Sequence, residues 1–526
     1  TINVEPLNPI ITSTGSSSAD DTYKVGDTLT LTVTFDQTVT VDTLGGTPTL
    51  LLETGSTDRA ATYVSGSGSN TLTFSYTVQA GDLTADLNYQ SSSALSLNGA
   101  TIKSAASDDA VLTLPATGSA DSIASQHALV IDGVSPTANI VVADAALAAG
   151  ETSTVTITFS EAVVGVDLAD FTVANGTLSN LATSDNVIYT ATLTPAADTQ
   201  DTSNLITLDN SGYLDTAGNT GAAPVNSNNF AIDTLRPTAS ITVADAALAA
   251  GETSTVTITF NEAVSGLTTA NFSVENGALS NLTSGDGGIT WTATLTPSGN
   301  IEDASNLVTL DNTGVQDAAG NTGTGTTASN TYTIDTLRPT ASITVADTAL
   351  AAGETSTVTI TFNEAVSGLT TADLSVENGA LNNLTSSDGG ITWTATLTPT
   401  ADVEDTGNLV TLDNTGVVDA AGNAGVGTTD SNNYAVDTLR PTATIVVADT
   451  ALAAGENSTV TITFNEAVSG LTTADFSVEN GALSNLTSGD GGVTWTATLT
   501  PTADVEDTGN LVTLDNTGVV DAAGNA

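Results

Sequence analysis

The sequence predicts an all-β protein, a linear array of tandem seven-stranded antiparallel sandwiches. Three observations carry this expectation. A length of 526 residues suits four or five domains of ordinary size. The segment Asp-Thr-Leu-Arg-Pro-Thr recurs at Asp233–Thr238, Asp335–Thr340 and Asp437–Thr442, a spacing of 102 residues, with the variant Asp-Gly-Val-Ser-Pro-Thr at Asp132–Thr137. Between these marks, runs rich in Thr, Val and Ile alternate with period two, the pattern of half-buried strands.

Each mark is followed by the same order of features: Ala-Asp-x-Ala-Leu-Ala-Ala-Gly-Glu, Thr-Val-Thr-Ile-Thr-Phe, Glu-Ala-Val and, much later, Asp-x-Ala-Gly-Asn. Repeats are expected at 135–234, 235–336, 337–438 and 439–526, the last ending before its final strand, so that the chain reads as an excerpt. Residues 1–134 form a divergent module, because Tyr23–Phe35 matches Leu147–Phe159 without a gap and sets Asp20 on Asp144 and Asp27 on Glu151.

In the repeat 337–438 the expected strands are A (Ala341–Ala346), B (Thr355–Phe362), C (Leu374–Glu377), D (Ala380–Thr385), E (Ile391–Thr398), F (Asn408–Val418) and G (Asn433–Val436). Gly, Asn, Asp and Pro fill the gaps, and seven short strands in this length indicate a sandwich. In strand E, Trp393, Ala395 and Leu397 face the core while Thr392, Thr394, Thr396 and Thr398 face water. A sandwich extends ~40 Å, so five in line approach ~200 Å.

Charge narrows the partners. The chain carries 59 Asp plus Glu against six Lys plus Arg, a formal charge of −53. Such a surface repels nucleic acid and anionic membranes and attracts cations. Acidity with few aromatics can mean disorder, but 39% hydrophobic residues in strand-like runs supply cores. With no cysteine, disulfides and thiolate metal sites are excluded. The lysines, Lys24 and Lys103, both lie in the first module, which removes Lys–Asn cross-links from the repeats. No apolar run of about 18 residues would span a membrane, and no basic-then-apolar leader opens the chain at Thr1.

Up-and-down strand order places the B–C and F–G loops at the pole beside the incoming linker. That pole gathers Glu364 and Asp373, Asp419 and Asn423, and Asp335 of the linker, all hard oxygen donors suited to calcium. The opposite pole gathers Asp347, Glu354, Asp402, Glu404 and Asp405, and Asp437 leads away from it. Two carboxylates ~5 Å apart repel by roughly 3 kcal/mol at an effective dielectric of about 20, so a junction holding several needs a cation. The competing reading, solvating charges on turns, fits any one of these acids taken alone.

The linker Val/Ile-Asp-Thr-x-x-Pro-Thr, the Ala-Gly-Glu-Thr turn, Thr-Phe-Asn-Glu-Ala-Val and Asp-Ala-Ala-Gly-Asn together resemble the bacterial immunoglobulin-like repeats of giant surface adhesins, including the type I-secreted biofilm and cell-binding adhesins. The resemblance covers 135–526 closely, and Tyr23–Phe35, Gly66–Phe74 and Val130–Gly133 resemble a related module. It implies immunoglobulin-like sandwiches forming an extracellular, cell-surface stalk that holds a distal binding domain away from the cell. It also implies calcium at the junctions, carried by Asp132, Glu161 and Asp215; Asp233, Glu262 and Asp317; Asp335, Glu364 and Asp419; and Asp437, Glu466 and Asp521. The first module departs, with Asp36 and Gln37 where the repeats have Ser or Asn and then Glu, and with Asp108-Asp-Ala lacking the Gly-Asn.

Other classes fit less well. His127 is the single histidine, and no nucleophile elbow, histidine pair or phosphate loop occurs, so no enzyme is expected. Trp291, Trp393 and Trp495, with Tyr189, share a strand face with Ala and Leu, which favours core packing over glycan binding. Thr-x-Thr pairs reflect the wet faces of strands and not an ice-binding surface. The serious rival is a self-associating filament or surface layer, in which a strand from another chain fills the groove left open at Ala526.

Overall fold

The computed structural model describes residues 8–526, and residues 1–7 of the expected first module lie outside them. Two compact units are present among the described residues, one reaching to Thr238 and including Glu262–Gly266 and Thr313–Thr324, the other of Ala239–Asn261, Leu267–Asn312 and Gly325–Ala526. Both are built of β-sheets, as the alternating sequence predicts.

Residues 337–438, in the second unit, serve as the type repeat. Their strands are β1 (Ala341–Val345), β2 (Ala349–Ala351), β3 (Ser356–Phe362), β4 (Leu374–Val376), β5 (Gly379–Ser386), β6 (Thr392–Pro399), β7 (Glu404–Asn408), β8 (Val410–Asp413), β9 (Thr428–Asp430) and β10 (Tyr434–Asp437). One sheet has the order β1-β3-β6-β5, a second β2-β10-β7 and a third β4-β8-β9. Val358, Ile360 and Phe362 of β3 and Ala395 and Leu397 of β6 are buried against Leu350, Val410, Leu412, Tyr434 and Val436 of the facing sheets. Burying each large apolar side chain contributes about 1.5–3 kcal/mol. Trp393 packs on this core half-buried, its Nε1–H donating to the Gly390 carbonyl at 3.0 Å. The tryptophan belongs to the core, as the strand pattern predicts.

Ten strands stand where the sequence predicts seven: β2 forms in the A–B turn, β7 in the E–F loop and β9 in the F–G loop, and strand F is shorter. The A–B turn contains β2, which pairs parallel to β10 through Leu350↔Val436. Three residues offer no alternation to detect, and the pairing partner lies at the other end of the repeat. Strand A gains a second attachment to that end, where Asn432 imitates a strand: its Oδ1 accepts from Val345 N–H at 2.8 Å and its Nδ2 donates to Val345 O at 3.1 Å. The expected strand F, Asn408–Val418, ends at Asp413, where a 3-10 turn over Asn414–Gly416 is capped by the Asp413 carboxylate.

Asn408 explains why the chain before that strand lies in another sheet. It is fully buried, and its Nδ2 donates to the Asp405 and Tyr434 carbonyls at 2.9 and 3.1 Å. Its Oδ1 accepts from Asn378 Nδ2 at 2.6 Å. With those bonds the chain leaves β10 at a bulge and enters β8 two residues later. Asn204 and Asn306 are equally buried at the same place in their repeats.

In the first unit, residues 138–233 repeat this plan, with Ala146–Ala148 parallel to Phe230–Asp233. The module before it has a different large sheet, of eight strands, running 11–16, 28–42, 69–77, 59–65, 49–53 and 88–89, with 101–104 and 95–96 at its sides. Its second sheet pairs Asp21–Tyr23 parallel to Leu129–Asp132, so Tyr23↔Ile131 matches Leu147↔Ile232 as the ungapped alignment requires.

Asn408→Ala is expected to unfasten the sheet switch. Removing three buried hydrogen bonds lowers the local opening free energy of the Tyr434–Asp437 amides by about 2–3 kcal/mol, read by native-state hydrogen exchange. Unchanged exchange there would contradict this role.

Candidate metal centre

Each site is assembled from three chain segments. Asp335 is the last residue of the strand Tyr332–Asp335, Glu364 follows β3, and Asp419 lies beyond the 3-10 turn of the type repeat. These three bring one carboxylate oxygen each to within 4.8 Å of one another, and so do Asp132, Glu161 and Asp215; Asp233, Glu262 and Asp317; and Asp437, Glu466 and Asp521. In every triad the linker Asp and the Glu are half-buried and the third Asp is buried.

The buried Asp is held by its own loop. Asp419 Oδ1 accepts from Asn423 N–H and Oδ2 from Asn423 Nδ2, both at 2.8 Å. Gly422, at φ 92°, supplies the left-handed step that closes the five-residue turn. Asp-Ala-Ala-Gly-Asn is thus a turn by its own chemistry, and the turn aims one acid at the triad.

Asn423 was expected among the oxygen ligands, but its atoms are spent elsewhere. Nδ2 also donates to Asp335 O at 2.8 Å, and Oδ1 accepts from Ala250 N–H of the preceding repeat at 2.6 Å. The same reach joins Val25 to Asn219, Ala149 to Asn321 and Ala352 to Asn525. One amide therefore ties its loop, the linker and the turn of the repeat before. The linker arginines, unassigned from sequence, close the same corner: Arg338 donates to Ala424 O at 2.6 Å and Arg440 to Ala526 O at 2.7 Å, while Arg236 donates to Thr322 O at 2.7 Å. They are three of the six basic residues in the chain, which was the available signal.

Asp373 also falls outside the triad, because its Oδ2 accepts from Thr370 N–H and Oγ1 at 2.8 Å in a capping box. The acids expected at the opposite pole divide similarly. Asp347 accepts from Ala349 N–H, Glu354 from Ala351 N–H, and Asp405 from Gly407 N–H and Asn378 Nδ2. These close turns, since a backbone N–H is the nearest donor to a short acid in a loop. Asp402 occupies a left-handed turn position at φ 57°. Glu404 differs, standing directly across the ladder from Asp437, as Glu302 stands across from Asp335. In the first module Asp36 accepts from Ile10 N–H, and no acidic triad forms there among the described residues. His127 contacts Asp20 at 3.3 Å through Nδ1.

The electrostatics show acids under mutual strain. Burial raises the Glu364 pKa first, and Asp419, Asp335 and Glu302 add to it. Asp335 is raised by burial, then by Asp419 and Glu302. Asp437 and Glu466 follow the same order, with Asp521 and Glu404 as neighbours, and Glu161 is raised by burial, Asp132 and Asp215. In addition, Oδ1 of Asp233, Asp335 and Asp437 is buried with no hydrogen-bond partner. A buried carboxylate oxygen without a donor costs free energy that a cation would recover. Hard oxygens without His or Cys suit calcium or magnesium.

Comparison with known proteins gives one family. The bacterial Ig-like domain matches residues 132–232, 233–334, 335–436 and 437–526. No curated protein matches the chain. Among solved structures, the Escherichia coli adhesin FdeC is similar at 15% identity and a TM-score of 0.23, covering 57% of this chain and 96% of that one. The Yersinia pseudotuberculosis adhesin InvE is similar at 17% identity and a TM-score of 0.18, covering 49% and 73%. The I9–I11 tandem of titin is similar at 10% identity and a TM-score of 0.21, covering 58% and 97%.

Two outcomes follow from this geometry. Removing the Asn423 amide with Asn423→Ala should speed hydrogen exchange at Ala250 N–H by about tenfold or more; an unchanged rate would show that the latch does not hold the turn. For pH, a raised carboxyl binds its proton more tightly folded than unfolded. From the ordinary Asp and Glu values of 3.8 and 4.5 up to the raised values, stability therefore falls as pH rises. The hairpin acids act oppositely and lower down: Asp286, held to about 2 chiefly by the Thr290 backbone N–H, contributes stability that is lost below 3.8. With chelator present, the melting temperature should rise as the pH is lowered from neutrality towards the ordinary Glu value of 4.5, and millimolar calcium should flatten that dependence. A chelated protein whose melting temperature falls steadily as the pH is lowered towards 4.5 would contradict the acid strain.

Proposed function

Starting from a chain that belongs to the bacterial immunoglobulin-like domain family, we propose that it is an extracellular extender of a bacterial surface adhesin. On this reading its modules, taken as 1–134, 135–234, 235–336, 337–438 and 439–526, form a stalk and not an enzyme. Calcium at the junctions stiffens it, and it carries a distal binding domain away from the cell for adhesion or biofilm formation.

The observation that carries the reading is the recurrence of the same three carboxylates at four successive junctions, three of them with a buried oxygen lacking any donor. The residues fit the ion by that test. Asp335, Glu364 and Asp419, with their counterparts, would hold it, and a bound divalent cation would neutralise the charge gathered there. Asn423 orients Asp419, Arg338 fixes the linker on the loop carbonyl, and the linker Asp ties the end of one repeat to the loops of the next. Extracellular calcium modules bind with dissociation constants of about 10⁻⁴–10⁻³ M. At roughly ten to a hundred times that concentration each site adds about 1.4–2.7 kcal/mol of stability. A net charge of −53 keeps neighbouring stalks apart and raises the local cation concentration.

Small-angle scattering in millimolar calcium and in chelator tests this. The expected outcome is a larger, narrowly distributed maximum dimension in calcium that shortens or broadens when the ion is removed. An unchanged distance distribution would remove calcium from the mechanical role. Mass that grows with protein concentration would favour the self-associating filament instead.

A further inference from the structure

The four triads repeat, but the residue facing each across the ladder does not. Each linker Asp ends a strand, and its directly opposed neighbour is Leu83 for Asp132, Gln200 for Asp233, Glu302 for Asp335 and Glu404 for Asp437. Directly opposed residues in an antiparallel pair hold their Cβ atoms ~4.5–5.5 Å apart, within reach of a shared ion. The two C-terminal triads therefore have a fourth carboxylate beside them. At Asp233 that place holds an amide, whose Nε2 donates to Asp233 Oδ2 at 2.9 Å. At Asp132 it holds an exposed leucine with no polar atom to offer.

We propose that the junctions fall into two affinity classes for calcium, a tight pair at Asp335 and Asp437 and a weak pair at Asp132 and Asp233. The inference rests on the reading that the triads hold calcium. Ligand charge count tunes calcium sites of similar geometry; the three acids are the same in all four triads, and the residue opposite the linker Asp differs. The buried Oδ1 without a partner is shared by Asp233, Asp335 and Asp437; what sets the tight pair apart is the second acid that faces the linker Asp across the ladder. In the weak pair, Gln200 occupies one oxygen of Asp233, and Asp132 Oδ1 already accepts from Val134 N–H at 3.2 Å. As calcium falls, the N-terminal junctions lose it first and become the places where the chain bends.

Calcium titration of the full chain by isothermal titration calorimetry tests this. Two tight and two weak sites are expected, separated by about tenfold or more. Gln200→Glu should move one site from the weak class to the tight one, and Glu404→Gln should move one the other way. Both replacements place at one repeat a side chain that another repeat already carries there, so folding is retained. Four equal sites, or exchanges that leave the tight stoichiometry at two, would overturn the inference while leaving calcium at the junctions. No heat from the unaltered chain at millimolar calcium would instead remove the junction-calcium reading, and this inference with it.

Discussion

The constraint on which each junction depends is that three carboxylates must remain within 4.8 Å of one another while their charges drive them apart. Covalent structure does not hold them, because they come from the end of one repeat and two separate loops of the next. What holds them is a set of hydrogen bonds from neutral groups. The Asp-x-Ala-Gly-Asn turn fixes the buried Asp, and its Asn grips both the linker carbonyl and the turn of the preceding repeat. Scarce positive charge is spent at the same corner, where each linker Arg in the last three junctions binds the carbonyl beyond that Asn. Each of these arginines binds a backbone carbonyl of the loop and so fastens the linker to it.

The irregularity of the sandwich serves the same corner. If the chain after β6 ran straight into one long strand, no residue of that segment would pair with β10. The switch at Asn408 lets Glu404–Asn408 pair with Tyr434–Asp437 first, and so sets Glu404 opposite Asp437. A buried amide that looks like a core defect is what delivers an acid of one repeat to the entrance of the next. The cost of burying Asn408 is offset because both its donors and its acceptor are satisfied.

Much of this was legible in the sequence where a pattern is long enough to recur. β3 and β6 are readable because Thr-Val-Thr-Ile-Thr-Phe and Thr-Trp-Thr-Ala-Thr-Leu alternate over several residues, and the core follows from the alternation. The triad acids are readable because each sits at a fixed place in a repeated motif. β2 was not, since Ala-Leu-Ala is too short to show a period and its partner is some eighty residues away. The sequence locates Asp373 and Asn423 at the loops beside the linker, but their hydrogen-bond partners are backbone groups and neighbouring side chains and not an ion. Sequence position locates a polar side chain at a loop, yet a nearby backbone N–H can claim it before any ion does. The division of strand F has a similar cause: the bonds that bury Asn408 come from three separate segments, which no local pattern records.

The parallel ladder of β2 on β10 has a consequence for tension. The chain enters a repeat through β1, which leads directly into β2, and leaves it at the end of β10; β2 and β10 run in the same direction. Pulling the ends of the repeat apart therefore slides these strands along one another. Their hydrogen bonds lie across the force and must yield together, whereas an antiparallel hairpin pulled from its open end would peel one bond at a time. The Asn432 amide, bonded both ways to Val345, adds a further crosspiece between the entering and leaving chain. A protein without a single cysteine thus resists extension by the orientation of three residues and one side chain.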